Sequence, residues 1–227
     1  MPIPWKVLSR TAAAGVAGTG LFFVYHTHGI EMVPMQASDP IFHSKFHAAY
    51  NPNGNPTIHD LHVIRVPLNR IEPGLLDDQE KLLERFCGGV WAGVGFAPHR
   101  TLLSLLEARD ATKAQLWTRS DLLDSKYDVG TDIAGNFEVV DRTVSTILIR
   151  CGDKTSVRGV RPLDALIELG ACIDREHGVV EFAFKSLFFQ GLGVSKEKIM
   201  PGPVVWLHEQ YAKAMLGGGV RYVLKKG

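Results

Sequence analysis

The side chains of this chain best suited to move a proton or polarise a carbonyl are an imidazole, a phenol and a guanidinium. His208 and Tyr211 stand about one helical turn apart, and Arg150 ends an apolar run. Ser186 and Gln190 share the period-2 parity of Phe182, Phe184 and Phe188. Imidazole changes charge near neutrality, while phenol and guanidinium donate hydrogen bonds to developing negative charge. Such groups serve reactions that need shape and a polarised carbonyl rather than a nucleophile.

The patterns of other chemistries are missing. Six of the nine histidines fall before residue 63, and His43 and His47 have the i, i+4 spacing of some metal sites. No Glu follows His43 as an HExxH helix requires, and His59 and His62 fall on opposite faces of a strand, so no metal is expected. Neither GxSxG nor GxxxxGK[ST] occurs, and Gly93-x-Gly95 lacks the third glycine of a dinucleotide fingerprint. No cofactor is expected. The glycine run from Cys87 to Gly95 is read as a helix break, serving close backbone packing or a loop that brings Trp91 against a ligand.

Lys+Arg 25 against Asp+Glu 24, with no basic run longer than Lys225-Lys226, excludes a phosphate-tracking surface and with it a nucleic-acid partner. Three separated cysteines and no glycosylation sequon favour a reducing, cytoplasmic setting. Thr11 to Tyr25 is apolar but shorter than the roughly twenty residues of a span, so residues 11–25 are a candidate membrane contact, a signal segment or a packed helix.

Asn51 to Pro56 is a cluster of turn formers, dividing an N-terminal apolar segment and irregular arm (1–56) from one α+β unit (57–227). Ile58 to Leu68 reads as a strand, and Asp77 to Phe86 as a helix. Pro98 to Arg109 is a second helix, with Leu102, Leu105 and Leu106 on its apolar face. Val129 to Val140 and Thr143 to Cys151 flank an expected tip at Asp141-Arg142. That tip puts Arg150 and Thr146 on one face with Phe137, Val139 and Leu148, or leaves Arg150 to pair with Asp132 or Asp153.

In the second hairpin, Leu163 to Ile173 with Val179 to Phe189, the register follows from side-chain type. Ile173 pairs with Val180, Ala171 with Phe182, Leu169 with Phe184 and Ala165 with Phe188. The other face then pairs Glu168 with Lys185, and a slip of one residue would expose the phenylalanines. Pro203 to Lys226 is the closing helix, with Val204, His208, Tyr211 and Met215 on one face and Gly217 to Gly219 as an interruption or kink.

This order of elements resembles the helix-grip (SRPBCC, or Bet v 1-like) superfamily. The resemblance covers Ile58 to Lys226, with five strands read where that family has about seven. It implies a curved antiparallel sheet wrapped round a long C-terminal helix, enclosing an apolar pocket. The stretches STILIRCGD (145–153), RPLDALIEL (161–169) and VVEFAFKSLFFQG (179–191) are similar to small fungal proteins encoded beside natural-product pathways, some of them cyclases or pericyclases of the Diels–Alderase kind.

Two functions fit. One is a cofactor-free cyclase, pericyclase or isomerase acting on a hydrophobic terpenoid or polyketide intermediate. Arg150, Gln190, Tyr211 and His208 would be its donors, and Thr146, Phe182, Phe184, Ser186, Phe188, Trp91 and Met215 its walls. The other is a carrier of a lipid, quinone or terpenoid, for which the same walls suffice.

Overall fold

The computed structural model describes residues 23–107 and 115–225. Its elements are β1 (Glu31–Met32), α1 (Lys45–Tyr50), β2 (Ile58–Pro67), α2 (Pro73–Leu76), α3 (Gln79–Ala92), α4 (Ala97–Glu107) and β3 (Gln115–Leu116). There follow α5 (Arg119–Asp124), β4 (Asp132–Ile133), β5 (Phe137–Arg142), β6 (Thr146–Cys151), β7 (Asp164–Asp174), β8 (Val179–Phe189) and α6 (Gly202–Arg221). The fold is α+β. Eight strands, not five, form one curved open sheet in the order β1-β2-β8-β7-β6-β5-β4-β3, antiparallel except for the β3–β4 pair.

Each long strand alternates between two covered faces. On the inner face lie Ile147, Ile149, Ile167, Leu169, Phe182 and Phe184, packed in one core with Phe86, Val90 and Trp91 of α3 and Met215 and Leu216 of α6. On the outer face Leu148, Leu166, Leu187 and Phe189 pack beneath Ile41, Phe42, Phe46 and Tyr50. The arm read as irregular therefore carries a strand, a 3-10 turn (Pro40–His43) and a helix that roof the back of the sheet. Asn51 and Asn55 are buried and pin its last turn through bonds to the backbone at Asn55, Gln190 and Gly193.

The β7–β8 register is the one the side chains dictated, from Ile173↔Val180 through Ala171↔Phe182 and Leu169↔Phe184 to Ala165↔Phe188. Lys185 Nζ sits 2.8 Å from Glu168 on the outer face and 2.9 Å from Asp39 of the arm.

The first hairpin differs. Strand β5 continues through Arg142, and the tip is Thr143 to Ser145, closed by the Thr143 amide on the Thr146 carbonyl at 2.8 Å. A bulge between Val139 and Asp141 shifts the register, so Glu138, not a core residue, faces Arg150. The predicted strand from Val129 to Val140 is cut at Ala134 and Gly135, whose φ values of 53° and 72° turn the chain through the left-handed region.

The glycine run does not break its helix; α3 continues to Ala92. A Cβ at Gly89 would lie 2.7 Å from Tyr222 Cβ and 2.9 Å from Gly219 Cα, and one at Gly219 would lie 2.6 Å from Phe86 and Val90. Glycine costs helix propensity of about 1 kcal/mol per residue, and here that cost is offset by a close approach of α3 and α6 that no larger residue permits. For the same reason Gly218 and Gly219 lie inside an unbroken α6, and Gly217 beside them lets the His26 backbone approach. Leu102, Leu105 and Leu106 of α4, expected on a buried face, are 54%, 79% and 70% exposed, while Leu103 faces the core.

Among the described residues no helix is long and apolar enough to cross a membrane. The candidate membrane contact lies mostly outside them, since only its last three residues, from Phe23 to Tyr25, are described.

Candidate functional site

Strand β2 carries Ile58, Asp60, His62, Ile64 and Val66 on its inner face, so two ionisable groups lie among aliphatic ones. Asp60 is directly cross-strand from Ser186, and His62 from Phe184. The final helix crosses this face and lowers His208 onto the pair. His208 Nε2 is 3.0 Å from Ser186 Oγ and 3.0 Å from Asp60 Oδ2. Ser186 donates to Asp60 Oδ1 at 3.1 Å, and His62 Nε2 stands 3.5 Å from that same oxygen. The carboxylate is 3% exposed and His62 wholly buried, and neither ring nitrogen of His62 hydrogen-bonds to a described group. Burial pulls the His62 pKa below 6.5, Asp60 pulls it up, and Lys213 and His208 push it down again. The net direction is downward, so this imidazole is held neutral.

This is not a serine-hydrolase triad. The carboxylate and the hydroxyl meet the same nitrogen of His208, and the hydroxyl donates to the carboxylate. In this arrangement Ser186 keeps its proton and points it at Asp60, and the carboxylate is a buried partner for the His208 ring.

One turn along α6, Tyr211 Oη is 3.0 Å from His99 Nδ1 of α4. Burial raises the Tyr211 pKa well above that of an ordinary phenol and lowers that of His99, so both stay neutral near pH 7. Phe96 and Phe137 hold the His99 ring edge-on, with centroids 5.5 and 5.7 Å away. Phe188 does the same for His208 at 4.6 Å.

Between these two pairs lies a cleft of about 210 Å³. His208 and Tyr211 line it from the helix, His99 from α4, and Phe137, Ile167 and Phe188 from the sheet. Cys151 also borders it, but burial pushes its thiol up to about 12, which leaves no thiolate for nucleophilic attack near neutrality. The Ala134–Gly135 turn sets Asn136 at the rim.

Of the residues expected from sequence, the fold brings His208, Tyr211, Ser186 and Phe188 together here. Phe182 and Phe184 share their face, but they are buried in the core, where Phe86 stacks on Phe182 at 4.9 Å. Space expected along the whole aromatic strand is present only at its Phe188 end. Met215 is likewise core, and Trp91 lies one layer below the cleft, its ring 4.9 Å from Phe137 and its buried indole N–H without a described partner.

Arg150, Thr146 and Gln190 are elsewhere. The shifted β5–β6 register turns Arg150 and Thr146 to the outer face. There the Arg150 guanidinium grips Asp164 at 2.9 and 2.5 Å, donates to the Arg158 and Gly159 carbonyls and lies 3.7 Å over the Tyr50 ring. Its partner is thus neither Asp132 nor Asp153. Thr146 bonds Thr143 in the turn. Gln190 lies past the strand end and donates to Leu192 O at 2.8 Å.

His43 and His47 each bond a backbone carbonyl, at Ala37 and Phe42. Among the described residues no group of three His, Cys, Asp or Glu side chains is placed to hold a metal ion.

Asp60 and His99 were not singled out in the sequence, and His62 was weighed only as a metal ligand. Asp60 and His62 had a signal, being ionisable at the apolar parity of β2. His99 had none, since its partner is 112 positions away. No protein-family model, curated protein or solved structure matches the chain.

Proposed function

We propose that the chain is a cofactor-independent enzyme of small-molecule biosynthesis, an isomerase or cyclase that binds the carbonyl-bearing end of a hydrophobic molecule beside α6. The observation that carries this reading is the pairing of two unlike groups one turn apart. His208 is backed by a buried carboxylate, and Tyr211 is a phenol kept protonated by burial, both at one apolar cleft. A carbonyl oxygen accepts the Tyr211 hydrogen bond, and His208 takes a proton from the adjacent carbon and returns it elsewhere on the substrate. Bonds and charge balance without an oxidant, and proton transfer of this kind contributes typically 10²–10⁴-fold. In a pericyclic step the same phenol polarises the carbonyl while the walls hold the reacting ends together.

The topology supports the resemblance on which this rests. Strands β2 to β8 are seven in number, with helices after the first strand and a long helix last, the order the resemblance implies. The cleft lies between sheet and final helix, where the resemblance implies a ligand. At about 210 Å³ it is smaller than the roughly 300–1,000 Å³ of drug-sized sites, so it takes a head group and leaves the rest of the substrate at the mouth.

The test is incubation of the purified protein, in D₂O buffer, with extract from a strain deleted for this gene. Conversion of an accumulated precursor, lost in His208→Gln, supports the enzyme, and deuterium in the product marks the proton relay. Retention of an unchanged compound by both proteins would establish a carrier and end the proposal.

A further inference from the structure

A second region, independent of the cleft, is built for a different kind of ligand. Two adjoining hollows of about 540 and 290 Å³ share Arg119, Arg221 and Tyr222 as walls. Arg85 of α3 completes the first and Arg100 of α4 the second. Arg221 is ten residues beyond Tyr211 on α6, about 15 Å along the helix axis.

Four guanidiniums therefore converge on one tyrosine, and the single carboxylate lining either hollow is Asp124. Their charge is unanswered. Among the described residues none of the four makes an ion pair, whereas Arg65, Arg142, Arg150 and Arg158 each do. Arg119 donates to the Tyr222 hydroxyl at 2.5 Å, and Arg221 reaches the Tyr25 carbonyl at 3.3 Å, so both are held in place by neutral groups. Arg100 Nη1 is shut off from solvent and has no described partner. A chain of formal net charge +1 has gathered these cations round two adjoining hollows that hold one carboxylate, Asp124. Buried guanidinium N–H groups without acceptors are costly, and an anion that supplies several oxygens removes that cost.

We infer that these hollows bind a multiply charged phosphate group, a diphosphate or phosphate ester, with Arg85, Arg100, Arg119 and Arg221 as its ligands. Planar guanidinium forks match phosphate oxygens in pairs, and four of them suit more than one negative charge. The walls of the smaller hollow, Ala92, Val94 and Ala97, accept a short apolar extension of the same molecule. A concave site favours a soluble phosphate over the flat surface of a bilayer, although a phospholipid headgroup offers the same chemistry.

The probe is inorganic diphosphate, titrated calorimetrically into the full chain at low ionic strength and again at raised salt. Saturable binding is expected, weakening steeply with salt. Arg119→Gln and Arg100→Gln should each weaken it about ten-fold, the loss of one charge-assisted hydrogen bond. Arg119 is exposed, so that variant should keep the wild-type melting temperature, and Arg70→Gln, outside both hollows, should bind like wild type. A second arm measures co-sedimentation with phosphatidylcholine vesicles, with and without phosphatidic acid. Diphosphate binding identifies a soluble phosphate, and binding to acidic vesicles alone identifies the headgroup. Absence of both, or equal affinity in wild type and the two site variants, overturns the site.

Discussion

Two buried polar clusters, one on each face of the sheet, are built to opposite specifications. On the outer face Arg150 and Asp164 are 3% and 0% exposed, and the bidentate pair is surrounded by further acceptors. Arg161 beside it is buried too, and it spends its donors on the Val157 and Cys151 carbonyls. On the inner face Asp60 is shared among Ser186, His62 and His208, and His62 has two idle nitrogens. A saturated cluster has one low-energy state and serves as a staple. A cluster with spare donor and acceptor capacity, next to an open cleft, can change its protonation without breaking the fold.

The comparison breaks most sharply at Asp164. Replacing it by Ala leaves Arg150 buried without its anion and should cost about 3–5 kcal/mol, read as a fall in the urea midpoint, with unaltered chemistry in the molecules that remain folded. His208→Ala should do the reverse, lowering precursor conversion by about 100-fold or more while changing the urea midpoint little. Tyr211→Phe keeps the ring and loses the donor; turnover should fall about ten-fold with the melting temperature nearly unchanged.

The smallest effect is on the pH dependence of stability. His26, His62 and His99 are all depressed below 6.5 by burial, so the unfolded chain binds protons there that the native one refuses. The stability they confer is whole above pH 6.5 and drains as pH falls through 6.5 towards their native values. A melting-temperature profile that is flat across that window would contradict the burial, and His62→Gln should shallow the slope by removing one of the three groups.

Much of this was legible where the signal is local. The β7–β8 hairpin could be registered because three phenylalanines, a glutamate and a lysine each object to the wrong face. The β5–β6 hairpin has no such objector; a bulge and a threonine-capped turn moved its tip by two residues and carried Arg150 and Thr146 to the far side. Asp60 and His62 could have been found by parity along β2, since ionisable residues at aliphatic positions need an explanation. The close backbone packing expected of the α3 glycines is present but the helix break is not, because the partners of Gly89 and Gly93 (Gly218, Gly219 and Tyr222) lie about 130 positions away, and helix propensity knows nothing of them.

Those glycines also fix what α6 can do. At Gly218 and Gly219 its backbone is clamped against α3 and at Gly217 against His26, while Val204, Trp206 and Leu207 at the other end are 44%, 60% and 62% exposed. The helix is a cantilever, anchored at the tail and unsupported at the tip, with His208 and Tyr211 on the span between. On the proposed function, a guest larger than the cleft displaces that exposed end rather than the clamped one, and the length of the lever sets the size of what enters.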